Sequence, residues 1–132
     1  MATSVMHDLF DGGTYHLMAD STEFFRMKLL NAETKEPIDL STATNVEWFV
    51  GSASTRNRYA EVTKSLLNDE IYILSDAETG AENIVQVSLK GDETKNFSGG
   101  FIHQLLVTDG DGNRFRPMQG LLVFSSALIS IN

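Results

Sequence analysis

The chain has 132 residues, 42% of them hydrophobic, which is enough apolar material for one core and suits a single domain that folds without a metal or disulfide staple. It contains no cysteine, and this excludes a disulfide framework, a thiolate metal site and a cysteine nucleophile. Its formal charge of −8 argues against nucleic acid and anionic membrane surfaces as partners, because both are held by clustered Lys and Arg.

Residues 1–13 combine Met6, Leu9 and Phe10 with Asp8, Asp11, Gly12 and Gly13 and are expected to form an N-terminal arm ahead of the body at 14–132. The opening Met1 to Asp8 has neither a basic n-region nor an apolar h-region, so a soluble chain without an export signal, assembled in a reducing cytoplasm, is expected. Thr14 to Met18 reads as a short strand. Glu23 to Leu30 reads as a stronger one, with Phe25, Met27 and Leu29 on one face and Arg26 and Lys28 on the other.

Asn31 to Pro37 is polar and rich in turn formers, and Ile38-Asp39-Leu40-Ser41 then leads into a strand carrying Val46, Trp48 and Val50. Trp48 falls on the apolar side of that alternation and is expected at the centre of the core. Gly51 to Asn57 reads as a loop and Tyr59 to Val62 as a short edge segment. The neighbouring Arg56, Arg58, Glu61 and Lys64 read as a solvated face. Glu70 to Leu74 and Ile84 to Leu89 are predicted strands joined by a hairpin-like loop that contains Gly80.

Gly91 to Asn96 is predicted to hold one helical turn, with Asp92 as its N-cap. Phe101 to Val107, Arg114 to Met118 and Leu121 to Phe124 complete the strands, the last of them extendable over Leu128 to Ile131. Many short strands with little helical periodicity predict an all-β fold, a two-layer antiparallel β-sandwich.

The segments that imitate chemical motifs break down on inspection. Asp109-x-Asp111-x-Asn113 starts like an EF-hand loop, but Arg114 stands where that loop needs Gly, and Gly120 stands where it needs the closing Glu. A plain hairpin turn is the expectation there. His7, His16 and His103 lack ligand spacing, and the alternation of His103 with Phe101 and Leu105 predicts a hydrogen-bonded core or boundary position. There is no Gly-x-Ser-x-Gly elbow, and Gly99-Gly100 precedes a strand rather than a helix, so no phosphate loop begins there. No catalytic residue, metal ligand or cofactor is expected, and the chain reads as a non-enzyme. Phe24, Phe49 and Tyr72 fall on the outward side of their strands and are candidate interface residues, together with Met6, Leu9 and Phe10 of the arm.

The order of these pieces carries a family resemblance. The turn Asn31-Ala32-Glu33-Thr34-Lys35-Glu36-Pro37, followed by Ile38-Asp39-Leu40-Ser41 and the Val46/Trp48/Val50 strand, resembles the N-terminal immunoglobulin-like domain of phage baseplate upper proteins. Val85 to Thr94 leading to Gly100-Phe101, Leu105 to Asp109 with Gly112, and Gly120-Leu121-Leu122-Val123 continue the likeness, so that it spans residues 23 to 124. The chain departs from it by carrying Phe101 where such domains often have Tyr, and by lacking their long C-terminal extension.

The resemblance implies an immunoglobulin-like sandwich and a structural protein of a tailed-phage virion, in the baseplate, tail fibre or neck. Its partners would be other phage structural proteins, with the chain present as a homo-oligomer or in multiple copies. The alternatives are a capsid decoration protein and a carbohydrate- or receptor-binding module.

Overall fold

A computed structural model describes residues 5–8, 14–53 and 59–125. It is an all-β structure of two sheets. In chain order the elements are β1 (Val5–Asp8), β2 (Thr14–Met18), β3 (Glu23–Lys28), β4 (Asn45–Ser52), β5 (Ala60–Ser65), β6 (Ile71–Leu74), β7 (Ile84–Leu89), the single-turn α1 (Gly91–Thr94), β8 (Gly99–Thr108), β9 (Arg114–Phe115) and β10 (Gln119–Ser125). The smaller sheet has the order β1-β3-β7-β6; the larger has β2-β10-β8-β4-β5, with β9 paired to β8.

Period-two alternation explains how the layers stack. Phe25 and Met27 on β3, and Val85, Val87 and Leu89 on β7, face Val46, Trp48 and Val50 on β4 and Leu105 on β8, and all of them are buried in one cluster. Trp48 is fully buried at its centre, its ring centroid 5.4 Å from that of Phe25. Phe97, Phe101 and Phe124 close one end of the core through a stacked pair and two edge-on contacts.

The connections are built from the turn chemistry of the sequence. Asn31 Oδ1 accepts the N–H groups of Glu33 and Thr34. Gly80, at φ 74°, closes the β6–β7 hairpin with its N–H on the Asp76 carbonyl. Asp76 also lies 3.0 Å from Lys28 Nζ, so the hairpin is tied to β3 by an ion pair. Asp109 Oδ1 accepts from the N–H groups of Asp111 and Asn113, and Gly112 sits at φ 85°, which gives the expected hairpin turn between β8 and β9.

Several expectations are corrected. The sandwich is not wholly antiparallel, because β1 runs parallel to β3 and β2 parallel to β10. Val5–Asp8, part of the expected arm, is an edge strand with Met6 in register with Phe24; the rest of that segment, Leu9 and Phe10 included, lies outside the described residues, as do Arg56, Arg58 and the extension over Leu128 to Ile131.

Lys90 rather than Asp92 occupies the N-cap of α1, and Glu93 Oε1 accepts its backbone N–H. Lys64 is not solvated. Its side chain is only 8% exposed, and its ammonium is held at 2.7 Å by Glu93, so β5 is fastened to the β7–β8 connection. The predicted strand over Arg114 to Met118 stops at Phe115, and β10 starts at Gln119.

Candidate interaction face

β4, β8 and β10 are apolar on both sides. Inward they present Trp48, Val50, Phe101, His103, Leu105, Leu122 and Phe124, all buried. The residues between these, Phe49, Ile102, Leu121 and Val123, are half-buried on the outer surface of the larger sheet. Register sets them in rows: Phe49 lies opposite Gln104, Gln104 opposite Gln119, Ile102 opposite both Gly51 and Leu121, and Val123 opposite Gly100. Within these three strands only Glu47 is ionised, although the chain as a whole carries −8. An apolar and nearly charge-free sheet face is the usual mark of a surface that meets another molecule.

The face has relief. The ladder between β4 and β5 shifts at Val50/Gly51, and a Cβ placed on Gly51 would stand 2.4 Å from the Tyr59 carbonyl oxygen, so only glycine fits that bulge. Beside the bulge lies a cleft of about 240 Å³, lined by Phe49, Gly51 and Ile102 together with Tyr59, Gln104 and Arg116. Gln104 Nε2 donates to Gln119 Oε1 at 3.0 Å, holding one wall in place. On the β10 side Leu121 and Val123 are half-buried with Gly100 beside them; a Cβ at Gly100 would meet Leu121 Cδ1 at 3.6 Å.

Behind this face lies the buried polar pair of the core. Trp48 Nε1–H donates to His103 Nδ1 at 3.1 Å, which leaves the ring proton on Nε2, where it is buried without a hydrogen-bond partner. Burial pushes the His103 pKa down to about 4, so the imidazole is neutral at physiological pH. The expected hydrogen-bonded core histidine is present, as a support for the indole. Glu93 is shifted as well. Desolvation raises its pKa, but hydrogen bonds from Lys64 and the Lys90 backbone, together with the charges of both lysines, outweigh that and hold it below its usual range.

The candidate interface residues do not form one patch. Phe49 lies on the larger sheet. Phe24, half-buried, and Tyr72, 57% exposed, lie on the smaller one, where β7 separates them, with Phe24 opposite Ser88 and Tyr72 opposite Gln86. Met6 joins that sheet by register, and Leu9 and Phe10 lie outside the described residues. Sequence reasoning missed Tyr59, Ile102, Arg116 and Leu121. The available signal was the unbroken apolar run of β10, Leu121-Leu122-Val123-Phe124, which marks a strand covered on both faces.

Among the described residues, no three His, Asp or Glu side chains are grouped to hold a metal ion, and no helix is long and apolar enough to cross a membrane. Neither a protein-family model nor a curated protein matches the chain.

Proposed function

We propose that this chain is an immunoglobulin-like structural protein of a tailed-phage particle, a baseplate, tail-fibre or neck accessory that acts by protein–protein contact and not by catalysis. The observation that carries the contact role is the outer face of the larger sheet, whose three central strands bear one ionised residue in a strongly acidic chain.

The strand order supports the immunoglobulin-like part of the reading. With β3, β7 and β6 taken as strands B, E and D, and β10, β8, β4 and β5 as G, F, C and C′, the two sheets follow the order of that fold. Trp48 then falls on strand C. Phe25 and His103, on strands B and F, flank it where antibody domains place their inter-sheet disulfide. Phe101 precedes His103 by two residues, at the tyrosine-corner position, and the parallel pairing of β1 with β3 departs from the pattern. The virion setting rests on the resemblance carried by residues 23 to 124.

Imaging and protein identification on purified particles, produced with and without this chain, test the reading. Extra density and the chain itself are expected in the complete particles, and its absence from every particle would refute the proposal. The cleft beside Phe49 and Tyr59 favours a second reading, a carbohydrate-binding module, since aromatic walls stack on sugar rings. Glycan-array binding that disappears with Phe49→Ala would support it. Tyr72 cannot share that platform, because it lies on the other sheet.

A further inference from the structure

We infer that the cleft over β4 and β8 takes a sugar ring bearing a carboxylate, which Arg116 receives; this rests on the second reading above, the cleft as a carbohydrate site, and names the class of sugar. Charge comes first. The chain carries −8, yet the ionised side chain lining the cleft is a cation. Arg116 is exposed, and among the described residues no carboxylate is paired with it, whereas Lys28 and Lys64 are held by Asp76 and Glu93 at 3.0 and 2.7 Å. An open guanidinium presents a planar fork of donors that matches a carboxylate through two parallel hydrogen bonds. In so acidic a chain, an uncommitted arginine in a recess is where an anion is drawn in and not repelled.

Shape and polarity then narrow the anion. Along β8, Gly51 stands opposite Ile102 and Phe49 opposite Gln104, and Arg116 follows the pair formed by Phe115 and Val107. The Tyr59 carbonyl covers Gly51, so the open part of the cleft lies against Phe49 and Gln104 and runs toward Arg116. Gln104 spends one amide N–H on Gln119, which leaves its second N–H and its Oε1 for a ligand's hydroxyl groups. Phe49 and Tyr59, the latter 74% exposed, supply aromatic surface for the apolar side of a sugar ring. A volume of about 240 Å³ falls below the roughly 300–1,000 Å³ of a site for a drug-sized molecule and suits one sugar residue of a longer glycan.

The same features disfavour an acidic peptide. Extended peptides are captured by main-chain hydrogen bonds at an open sheet edge. This cleft opens on the face of β4 and β8, two interior strands whose ladders are already paired on both sides. A small inorganic anion would use Arg116 and leave the rings and the amide without a role.

Isothermal titration calorimetry on the full chain tests this with trigalacturonate and its neutral parent galactotriose, sialyllactose and its neutral parent lactose, and hexaglutamate. At least one acidic sugar should bind ~10-fold or more tightly than its neutral parent, and which one does so separates a uronic acid from a terminal nonulosonic acid. Arg116→Gln should remove that preference. Arg114→Gln makes the same charge change on an exposed neighbour outside the cleft and should keep it. Tyr59→Ala should weaken acidic and neutral sugars alike, by roughly 5-fold. Circular dichroism verifies that each variant is folded. Equal binding of acidic and neutral sugars, or an Arg114→Gln loss as large as that of Arg116→Gln, overturns the inference and leaves the carbohydrate reading standing. Hexaglutamate bound as tightly as the acidic sugars overturns it too, because the cleft then selects charge alone. If no sugar binds at millimolar concentration, both the inference and the carbohydrate reading fail.

Discussion

Acidification from pH 7 to pH 5 should weaken the fold through His103. Its imidazole is fully buried, accepts the Trp48 indole proton and stays neutral with a pKa of about 4, against 6.5 for an ordinary histidine. The unfolded chain therefore binds a proton more readily than the folded one throughout that interval. The contribution of His103 is complete above pH 6.5, declines as the pH falls and is exhausted near 4. Over the whole window the loss amounts to about 3 kcal/mol, and roughly 2 kcal/mol of it is gone at pH 5. The cause is burial alone, with no charged neighbour contributing.

Urea titrations at pH 7, 6 and 5 on the wild type and on His103→Gln separate this effect from general acid destabilisation. Glutamine offers the indole an acceptor but does not titrate, so the variant should start about 1 kcal/mol less stable and lose little on acidification. Asp76 and Glu93, both held below their usual pKa values, lose their contributions only at lower pH as they protonate. If the two proteins lose stability in parallel between pH 7 and 5, His103 is not a buried neutral group and the reasoning fails.

Gly51→Val forces a Cβ to within 2.4 Å of the Tyr59 carbonyl oxygen, a backbone atom that cannot swing aside, and should cost about 2 kcal/mol or more in urea unfolding; an unchanged midpoint would show that the bulge adapts. Glu93→Gln strips the 8%-exposed Lys64 side chain of its charged partner and should cost about 2 kcal/mol, with much of the loss recovered when Lys64→Met is added. Failure of the double variant to recover would mean that the pair is not coupled. Asp109→Ala removes the acceptor for two turn N–H groups and should lower stability by about 1 kcal/mol. Calcium should leave the melting temperature of the wild type unchanged, because Oδ1 of Asp109 is already engaged by the backbone, and a calcium-dependent rise would overturn that assignment.

The core was legible because alternation encodes it directly. Phe25/Met27/Leu29, Val46/Trp48/Val50 and Val85/Val87/Leu89 occupy the positions that a period of two assigns to the buried side, and each of these residues is at most 2% exposed. The turns at Asn31, Gly80 and Asp109 were legible for a related reason, since their chemistry is local. The features that were not legible depend on residues distant in the chain. The parallel pairings of β1 and β2 leave no mark on their own short sequences, and Lys64 looks like any surface lysine until Glu93, 29 residues away, is brought against it. The Asp92 assignment failed because a one-turn helix can draw its capping carboxylate from Glu93, which reaches back to the Lys90 N–H.

Three aromatic residues pointed outward in the sequence, and the structure supplies the physical reason to rank them. Around Phe24 and Tyr72 the smaller sheet carries Arg26, Lys28, Gln86 and Ser88, and Lys28 is already committed to Asp76. A partner covering that face would have to desolvate these groups, which offsets most of the gain from two aromatic rings. Phe49 has Gly51, Ile102 and, across β8, Leu121 for neighbours; its polar surroundings are the Gln104 and Gln119 amides, bonded to one another, and one ionised group, Arg116. Covering it desolvates one ionised group, Arg116, where the smaller sheet sets two, Arg26 and Lys28, beside its aromatics. It is the desolvation cost of the residues beside each aromatic, more than the exposure of the ring, that favours the outer face of the larger sheet as the proposed contact surface.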